Sequence, residues 1–261
     1  MTAHGRLTRN SLEQNKAQGH SMGMKHSKIL VTVAALAVLT ACADAQSRVQ
    51  SDDDPSNLQA EPITMVASAV SGPQAPYMSD APDGLATAIF AGGCFWCVEK
   101  DFEGVTGVVE VKSGYTGGTL DNPDYKTVSY TETGHYEAAE VLYDPAQVSY
   151  RELVDFYWTT VDPTDDEGQF CDKGSSYRTA VFATPTQLPD ATASLAAIEA
   201  SKPFSDRIVT PVVPAVTFYD AEDYHQDYYK KNPLRYRAYR AGCRRDATVK
   251  SLWGDAAHGG K

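Results

Sequence analysis

Ala86-Thr87-Ala88-Ile89-Phe90 runs into Gly92-Gly93 and then into Cys94-Phe95-Trp96-Cys97-Val98-Glu99. The first five residues have the length and apolar density of a short buried strand, and the two glycines break it. Phe95, Val98 and Phe102 recur at i, i+3 and i+7, so a helix begins near Cys94. A residue at such a junction faces unpaired backbone N–H groups and the positive end of the helix dipole. Here that residue is a cysteine, and the surroundings favour its thiolate, the nucleophilic form. Cys97 follows one turn later and completes a C-x-x-C pair. Glycines at a helix start expose a thiol rather than bury it, which disfavours an inert cysteine. A metal centre would need two further ligands, and no second C-x-x-C or H-x-x-x-H is present.

Working outward, residues 108–111 predict a second strand that ends in a turn at Gly114-Tyr115-Thr116-Gly117-Gly118. Residues 137–143 predict a third, stopped by Asp144-Pro145. Ser149-x-x-Glu152 is a capping box that opens a helix through Trp158. Residues 162–174 form an acidic loop and 176–182 a fourth strand. Thr184-Pro185-Thr186-Gln187 caps another helix, with Pro185 at its first position. Residues 208–218 are extended but interrupted by prolines, which suits a sheet edge. Strand, helix, strand, strand, helix, strand is the order of a split βαβ, ferredoxin-like core. The fold class is therefore α/β (α+β), with extra helices and a long irregular C-terminal segment.

If Glu137 begins its strand, it shares a face with Ala139, Val141 and Tyr143. A carboxyl on an apolar face is desolvated, its pKa rises, and it can hold a proton near neutral pH as a general acid does. The other face (Tyr136, Ala138, Glu140, Leu142) is also mixed, so an exposed or ion-paired Glu137 remains an equal alternative on pattern alone.

The 261 residues are 42% hydrophobic and 22% charged, with 15 Tyr, 8 Phe and 3 Trp, enough apolar bulk to exclude disorder throughout. A net charge of −11 argues against nucleic acid as a ligand. Five cysteines are too few for a disulfide scaffold in a chain this long. Lys25 and Lys28 precede an apolar run over 29–39, which Ala41, Ala43 and Ala45 follow. The run is shorter than the ~20 residues of a spanning helix. It reads as a secretory signal over 1–45, with the start at Met22 or Met24. Leu39-Thr40-Ala41-Cys42 resembles a bacterial lipobox in which Cys42 is lipidated; Ala43-Asp44-Ala45 would alternatively serve ordinary cleavage. Residues 46–84, rich in Ser, Asp, Pro, Gln and Ala, read as a flexible tether. The segment 85–261 is then the catalytic domain. The expected location is the bacterial cell envelope, extracytoplasmic, lipid-anchored or periplasmic.

Gly93-Cys94-Phe95-Trp96, Thr133-Gly134-His135 with Glu137, and 172–177 form three blocks, in order, that resemble the peptide methionine sulfoxide reductase A family. The resemblance spans 85–253. It implies reduction of methionine sulfoxide, free or in proteins, with the S epimer as substrate. Cys94 matches the family's nucleophile and Glu137 its acid. Tyr125 and Tyr177 match hydroxyls that bind the sulfoxide oxygen, and Asp172 a polar residue of the pocket. Phe95 and Trp96 match the apolar walls around the substrate methyl. No metal, flavin or nucleotide is implied. The expected partners are oxidised protein or peptide methionine and a thioredoxin-like reductant, and the protein is expected to act as a monomer. Residue 97, often glycine in the family, is cysteine here. Where some relatives carry a Gly-rich tail with recycling cysteines, this chain has Cys243 among arginines.

Attack on the sulfoxide would leave a sulfenic acid on Cys94, which a second thiol condenses to a disulfide. Cys243 is the first candidate, because Lys230, Lys231, Arg235, Arg237, Arg240, Arg244 and Arg245 around it favour thiolate and a flexible tail could swing in. Cys97 is second and Cys171 third. Two rival readings stand beside this one. A thioredoxin-like exchanger built on Cys94-x-x-Cys97 would require a cis-proline and thioredoxin context that are not evident. A tethered peptide-binding module would keep its affinity without Cys94.

Overall fold

The computed structural model describes residues 74–258. The targeting segment, Cys42 and the tether up to residue 73 lie outside the described residues.

Strand β1 (Ala86–Gly92) leads through α1 (Phe95–Glu103), β2 (Val108–Thr116), α2 (Tyr125–Tyr130) and β3 (Tyr136–Tyr143) to α3 (Tyr150–Trp158). Two short strands follow, β4 (Gly168–Gln169) and β5 (Asp172–Lys173), then β6 (Thr179–Ala183), α4 (Leu188–Ser201), β7 (Val212–Pro214) and β8 (Tyr219–Asp220). Three helices close the chain: α5 (Tyr228–Lys231), α6 (Pro233–Gly242) and α7 (Arg245–Trp253). The large sheet has the order β7-β6-β1-β3-β2-β8. β3 lies antiparallel between β1 and β2, and β1 lies antiparallel between β3 and β6. Each βαβ unit is thus split by a strand of the other, the ferredoxin-like arrangement. β7 extends one edge parallel to β6, and β8 the other edge antiparallel to β2.

Local differences from the sequence expectation have identifiable causes. β2 continues through Gly114-Tyr115-Thr116, where a turn was expected. A Cβ on Gly114 would lie 2.4 Å from the Phe218 ring and from the Tyr219 carbonyl, so glycine there admits the edge strand. The chain turns instead at Gly117, with φ +87°. Ser175–Tyr177 is a 3-10 turn, and the fourth long strand begins at Thr179. α4 starts at Leu188 with Pro189 in its first turn rather than at Pro185.

Composition put residues up to 84 in the tether, yet 74–84 lie on the sheet. Pro76 bridges Val216, Tyr77 N–H donates to the Ala215 carbonyl at 3.1 Å, and the Tyr77 hydroxyl reaches Thr87 and the Glu140 carboxylate. The C-terminal segment is helical and docked where an irregular run was expected. Trp253 is buried and its indole donates to the Val161 carbonyl at 2.9 Å.

The core lies between the sheet and helices α1, α3 and α4. Phe90 on β1 stacks on Phe102 of α1 at 4.7 Å and on Tyr157 of α3 at 5.2 Å. The capping box is present: Ser149 Oγ accepts from Glu152 N–H, and Glu152 Oε2 accepts from Ser149 N–H. Phe90 is fully buried among rings that cannot collapse onto a smaller side chain. Phe90→Ala should therefore lower stability by ~3–5 kcal/mol in urea unfolding; a loss under ~1 kcal/mol would contradict this packing.

Candidate active site

The turn from β1 to α1 requires glycine at position 93. Its φ is +79°, and a Cβ there would lie 2.5 Å from Gln169 Cβ. The Arg245 guanidinium braces the turn from behind, donating to the Gly92 carbonyl at 2.9 Å and the Thr160 carbonyl at 3.0 Å. Cys94 is then the N-cap of α1, with φ −53° and ψ 118°, and its side chain caps nothing. The first helical N–H, that of Phe95, is satisfied from across the sheet by Glu137 Oε2 at 3.1 Å.

Glu137 sits at the start of β3, opposite Tyr115 of β2, and is 1% exposed. Burial pushes its carboxyl up to about 8, and the charge of Asp172 adds to the rise; the hydrogen bonds from Phe95 and Tyr177 oppose it. At neutral pH this carboxyl holds a proton. The pattern could not separate the faces of β3 because both are covered: Glu140 on the other face is also buried, against Tyr77.

Cys94, Phe95, Trp96, Tyr125, Glu137, Asp172, Tyr177 and Tyr239 line one small pocket, with room of about 60 Å³. Seven of the eight are the residues singled out in the sequence; Tyr239 is not. Trp96 stacks on Tyr228 at 3.7 Å, and its indole N–H donates to His225 Nδ1 at 3.1 Å. The Phe95 ring contacts His225 and Tyr115. Tyr125 and Tyr177 share one side of the pocket, and the Tyr125 backbone N–H donates to Glu222 Oε1 at 2.9 Å. His135 ties the Gly117–Gly118 loop to β3, accepting from Gly118 N–H at 3.2 Å and bonding the Leu120 carbonyl at 2.8 Å.

The thiols behave differently from the expectation that a helix start lowers Cys94. Burial pushes the Cys94 thiol well up, and contact with Cys97 and the charge of Glu137 add to this. The helix end is outweighed because the thiol itself is buried, only 6% exposed. Cys97 is pulled down to about 7 by the hydrogen bond from Cys94 and by the Arg245 and Arg240 guanidiniums. Cys94 and Cys97 are both free thiols. Cys243 is disulfide-bonded to Cys171, with Cα atoms 4.9 Å apart, where a flexible tail carrying Cys243 to Cys94 was expected. Nor is the basic run around Cys243 a uniformly solvated face. Arg240 is buried and pairs with Asp101 at 3.0 Å and Asp246 at 2.7 Å, and Arg245 is buried behind the β1–α1 turn.

The residues that the sequence did not single out are Tyr239, His225, Tyr228, Glu222 and Gln169; Arg245 was named only as part of the charge around Cys243. All but Gln169 follow β8, where charged residues are interspersed among the apolar ones and no periodicity marks a pocket. The one available signal was Tyr228, Tyr229, Tyr236 and Tyr239, a density of aromatics unusual for a solvated face.

A family model described as peptide methionine sulfoxide reductase matches residues 86–257. The chain is 55% identical over 189 residues to peptide methionine sulfoxide reductase MsrA 2 of Caulobacter vibrioides, covering 72% of this chain and 94% of that protein. It is 53% identical over 174 residues to the protein of the same name from Rhizobium meliloti, covering 66% and 86%. Among solved structures, reduced Mxr1 of Saccharomyces cerevisiae superposes with a TM-score of 0.54 at 32% identity, covering 58% of this chain and 88% of that one. Methionine sulfoxide reductase A of Corynebacterium diphtheriae superposes with a TM-score of 0.51 at 33% identity, covering 62% and 84%.

The raised carboxyl of Glu137 makes stability depend on pH. Below about 4.5 it is protonated in both folded and unfolded chains. Between there and about 8 the unfolded chain has released the proton and the folded chain has kept it, so stability falls as pH rises, by up to ~1.4 kcal/mol per pH unit. Glu99, raised to about 7 by burial, adds to the lower part of that window. Glu137→Gln should remove one proton's share of this slope in urea unfolding at pH 5, 6, 7 and 8. An identical slope in protein and variant would contradict a protonated Glu137.

Proposed function

Because this chain belongs to the peptide methionine sulfoxide reductase A family, whose thiol chemistry returns methionine sulfoxide to methionine, we propose that Cys94 is its nucleophile and Glu137 its proton donor. One observation carries this reading: the buried Cys94 thiol and a buried carboxyl that stays protonated at neutral pH line the same pocket.

A sulfoxide sulfur is a poor electrophile until its oxygen is protonated. Glu137 gives that proton while the hydroxyls of Tyr125 and Tyr177, with Asp172, surround the oxygen. Cys97, hydrogen-bonded to Cys94, takes the thiol proton, and the Cys94 sulfur attacks the sulfoxide sulfur. Methionine leaves, and the oxygen stays on Cys94 as a sulfenic acid, so substrate is reduced by the two electrons that Cys94 loses. Phe95 and Trp96 hold the methyl group opposite the acid. Exchanging oxygen and methyl would put the oxygen against the aromatic wall, so the pocket admits one epimer, and membership of the family makes it the S epimer.

Cys97 takes over from Cys243 as the resolving thiol. Its sulfur contacts Cys94, whereas Cys243 is engaged with Cys171. Cys97 thiol and Cys94 sulfenic acid condense to a disulfide with loss of water, and an external dithiol of the thioredoxin class reduces it. Side chains three apart on a helix lie ~5–6 Å apart, farther than a disulfide's ~3.5–4.5 Å between Cβ atoms. Cys94 has extended rather than helical backbone angles, which leaves it free to close that gap.

An epimer-resolved assay of a methionine sulfoxide peptide with dithiothreitol tests the reading. Only the S epimer should be consumed, Cys94→Ser should be inactive, and Glu137→Gln should lose ~10²–10⁴-fold. The protein's rate should fall above about pH 8, where Glu137 loses its proton. Peptide mapping after one turnover without reductant should find Cys94 joined to Cys97. Consumption of the R epimer alone, or full activity in Cys94→Ser, would sink the proposal.

The run over 25–42 further supports an extracytoplasmic, lipid-anchored protein. Mass spectrometry of the mature N-terminus should find a lipidated Cys42; a free Gln46 would mean ordinary cleavage and a soluble periplasmic form.

A further inference from the structure

Tyr239 lines the pocket, and the chemistry proposed above does not use it. It stands on α6, its ring meets Trp96 edge-on at 5.9 Å, and its hydroxyl donates to Asp172 Oδ2. Its ring also packs against the Cys94–Cys97 pair, and its hydroxyl stands near enough to the Cys94 sulfur to favour the thiolate. Two adjacent loop residues grip this face of α6. Asp172 holds Tyr239, and Cys171 is bonded to Cys243, which caps the helix one turn further on. Tyr125 and Tyr177 stand with Glu137 in the pocket, on the side proposed for the sulfoxide oxygen. Tyr239 faces the sulfur side.

A phenol has one proton to donate. In the resting pocket it goes to Asp172. An anionic sulfur forming beside it competes for that proton because a thiolate is more basic than a carboxylate, and a hydrogen bond to the more basic anion is the stronger one. Resting on the assignment of Cys94 as nucleophile, we infer that Tyr239 is a further catalytic residue. Its hydroxyl turns from Asp172 to the Cys94 sulfur as that sulfur takes up negative charge, and the Cys171–Cys243 bond is the strut that keeps it within reach.

The groups that face this exchange are few. Cys97 from α1, Glu137 from β3 and Tyr125 from α2 face Cys94, while the Arg245 guanidinium of α7 faces Asp172. Tyr239 stays protonated throughout, because burial and the neighbouring sulfurs push its phenol far up.

The rate of the first turnover, measured without reductant across pH, tests this on the whole chain. Its ascending limb reports the first ionisation of the Cys94–Cys97 thiol pair, which begins with Cys97 at about 7, and its descending limb reports Glu137. Tyr239→Phe keeps the ring on Trp96 and removes only the hydroxyl. It should slow the first turnover at pH 7 by roughly 10- to 100-fold. It should also move the ascending limb to higher pH and leave the descending limb in place, so that the deficit narrows as pH rises. Cys243→Ser keeps the hydroxyl and removes the strut, and should move the same limb the same way by less. An equal slowing by Tyr239→Phe at every pH, or none, would overturn the catalytic role; an unmoved limb in Cys243→Ser would overturn the strut. Trapping with dimedone keeps the underlying assignment separate. If Cys94 of the unaltered protein carries no sulfenic acid after one turnover, that assignment falls, and Tyr239's role falls with it.

Discussion

The hydrogen bond from Phe95 N–H to Glu137 Oε2 joins the two halves of the site, and much of the structure serves to make it. A helix start leaves backbone N–H groups unsatisfied, and a buried one must find a partner. Here the partner is a carboxyl delivered by the neighbouring strand, so the helix is capped by the group proposed as the acid. The bond fixes where the carboxyl points. It also leaves that carboxyl's second oxygen for the pocket.

That geometry demands a tight approach between β1, α1 and β3. Gly93 allows it by having no Cβ to strike Gln169, and Gln169 is itself held by the backbone of Asp162. Arg245 then ties the Gly92 carbonyl to the Thr160 carbonyl, so that the last helix locks the first turn. A second buried arginine, Arg240, is matched by Asp101, which keeps its charge from being stranded in a dry interior. These two guanidiniums are also what draw Cys97 towards thiolate beside Cys94. Structural bracing and sulfur chemistry thus share the same cations.

The opposed behaviour of the two thiols follows from burial and company rather than from position on the helix. Cys94 has a raised carboxyl and a second sulfur for neighbours; Cys97 has two guanidiniums. The same rule holds Glu137 neutral and His225 uncharged, since a charge of either sign is disfavoured where water is absent. A neutral His225 keeps an unprotonated Nδ1 to accept the Trp96 indole, which fixes one wall of the pocket.

The sequence alone determined the strand–glycine–helix junction at Cys94, the split βαβ order and the capping box at Ser149, because each is written in short-range periodicity or in local backbone demands. It also assembled seven of the eight pocket residues, six within the family's three blocks and Tyr125 through the same resemblance. It could not separate Glu137 from Glu140, since alternation reports one buried face and both faces of β3 are covered, one by helices and the other by the segment around Tyr77. It misread 74–84 as tether and the chain beyond β8 as irregular. Those residues are ordered by partners far away in the chain, the 215–217 backbone for Tyr77 and Asp101 for Arg240. The partnership of Cys171 with Cys243, the rise of the Cys94 thiol and the place of Tyr239 were decided only by tertiary structure. Each depends on which groups share a dry cavity, and no spacing along the chain encodes that.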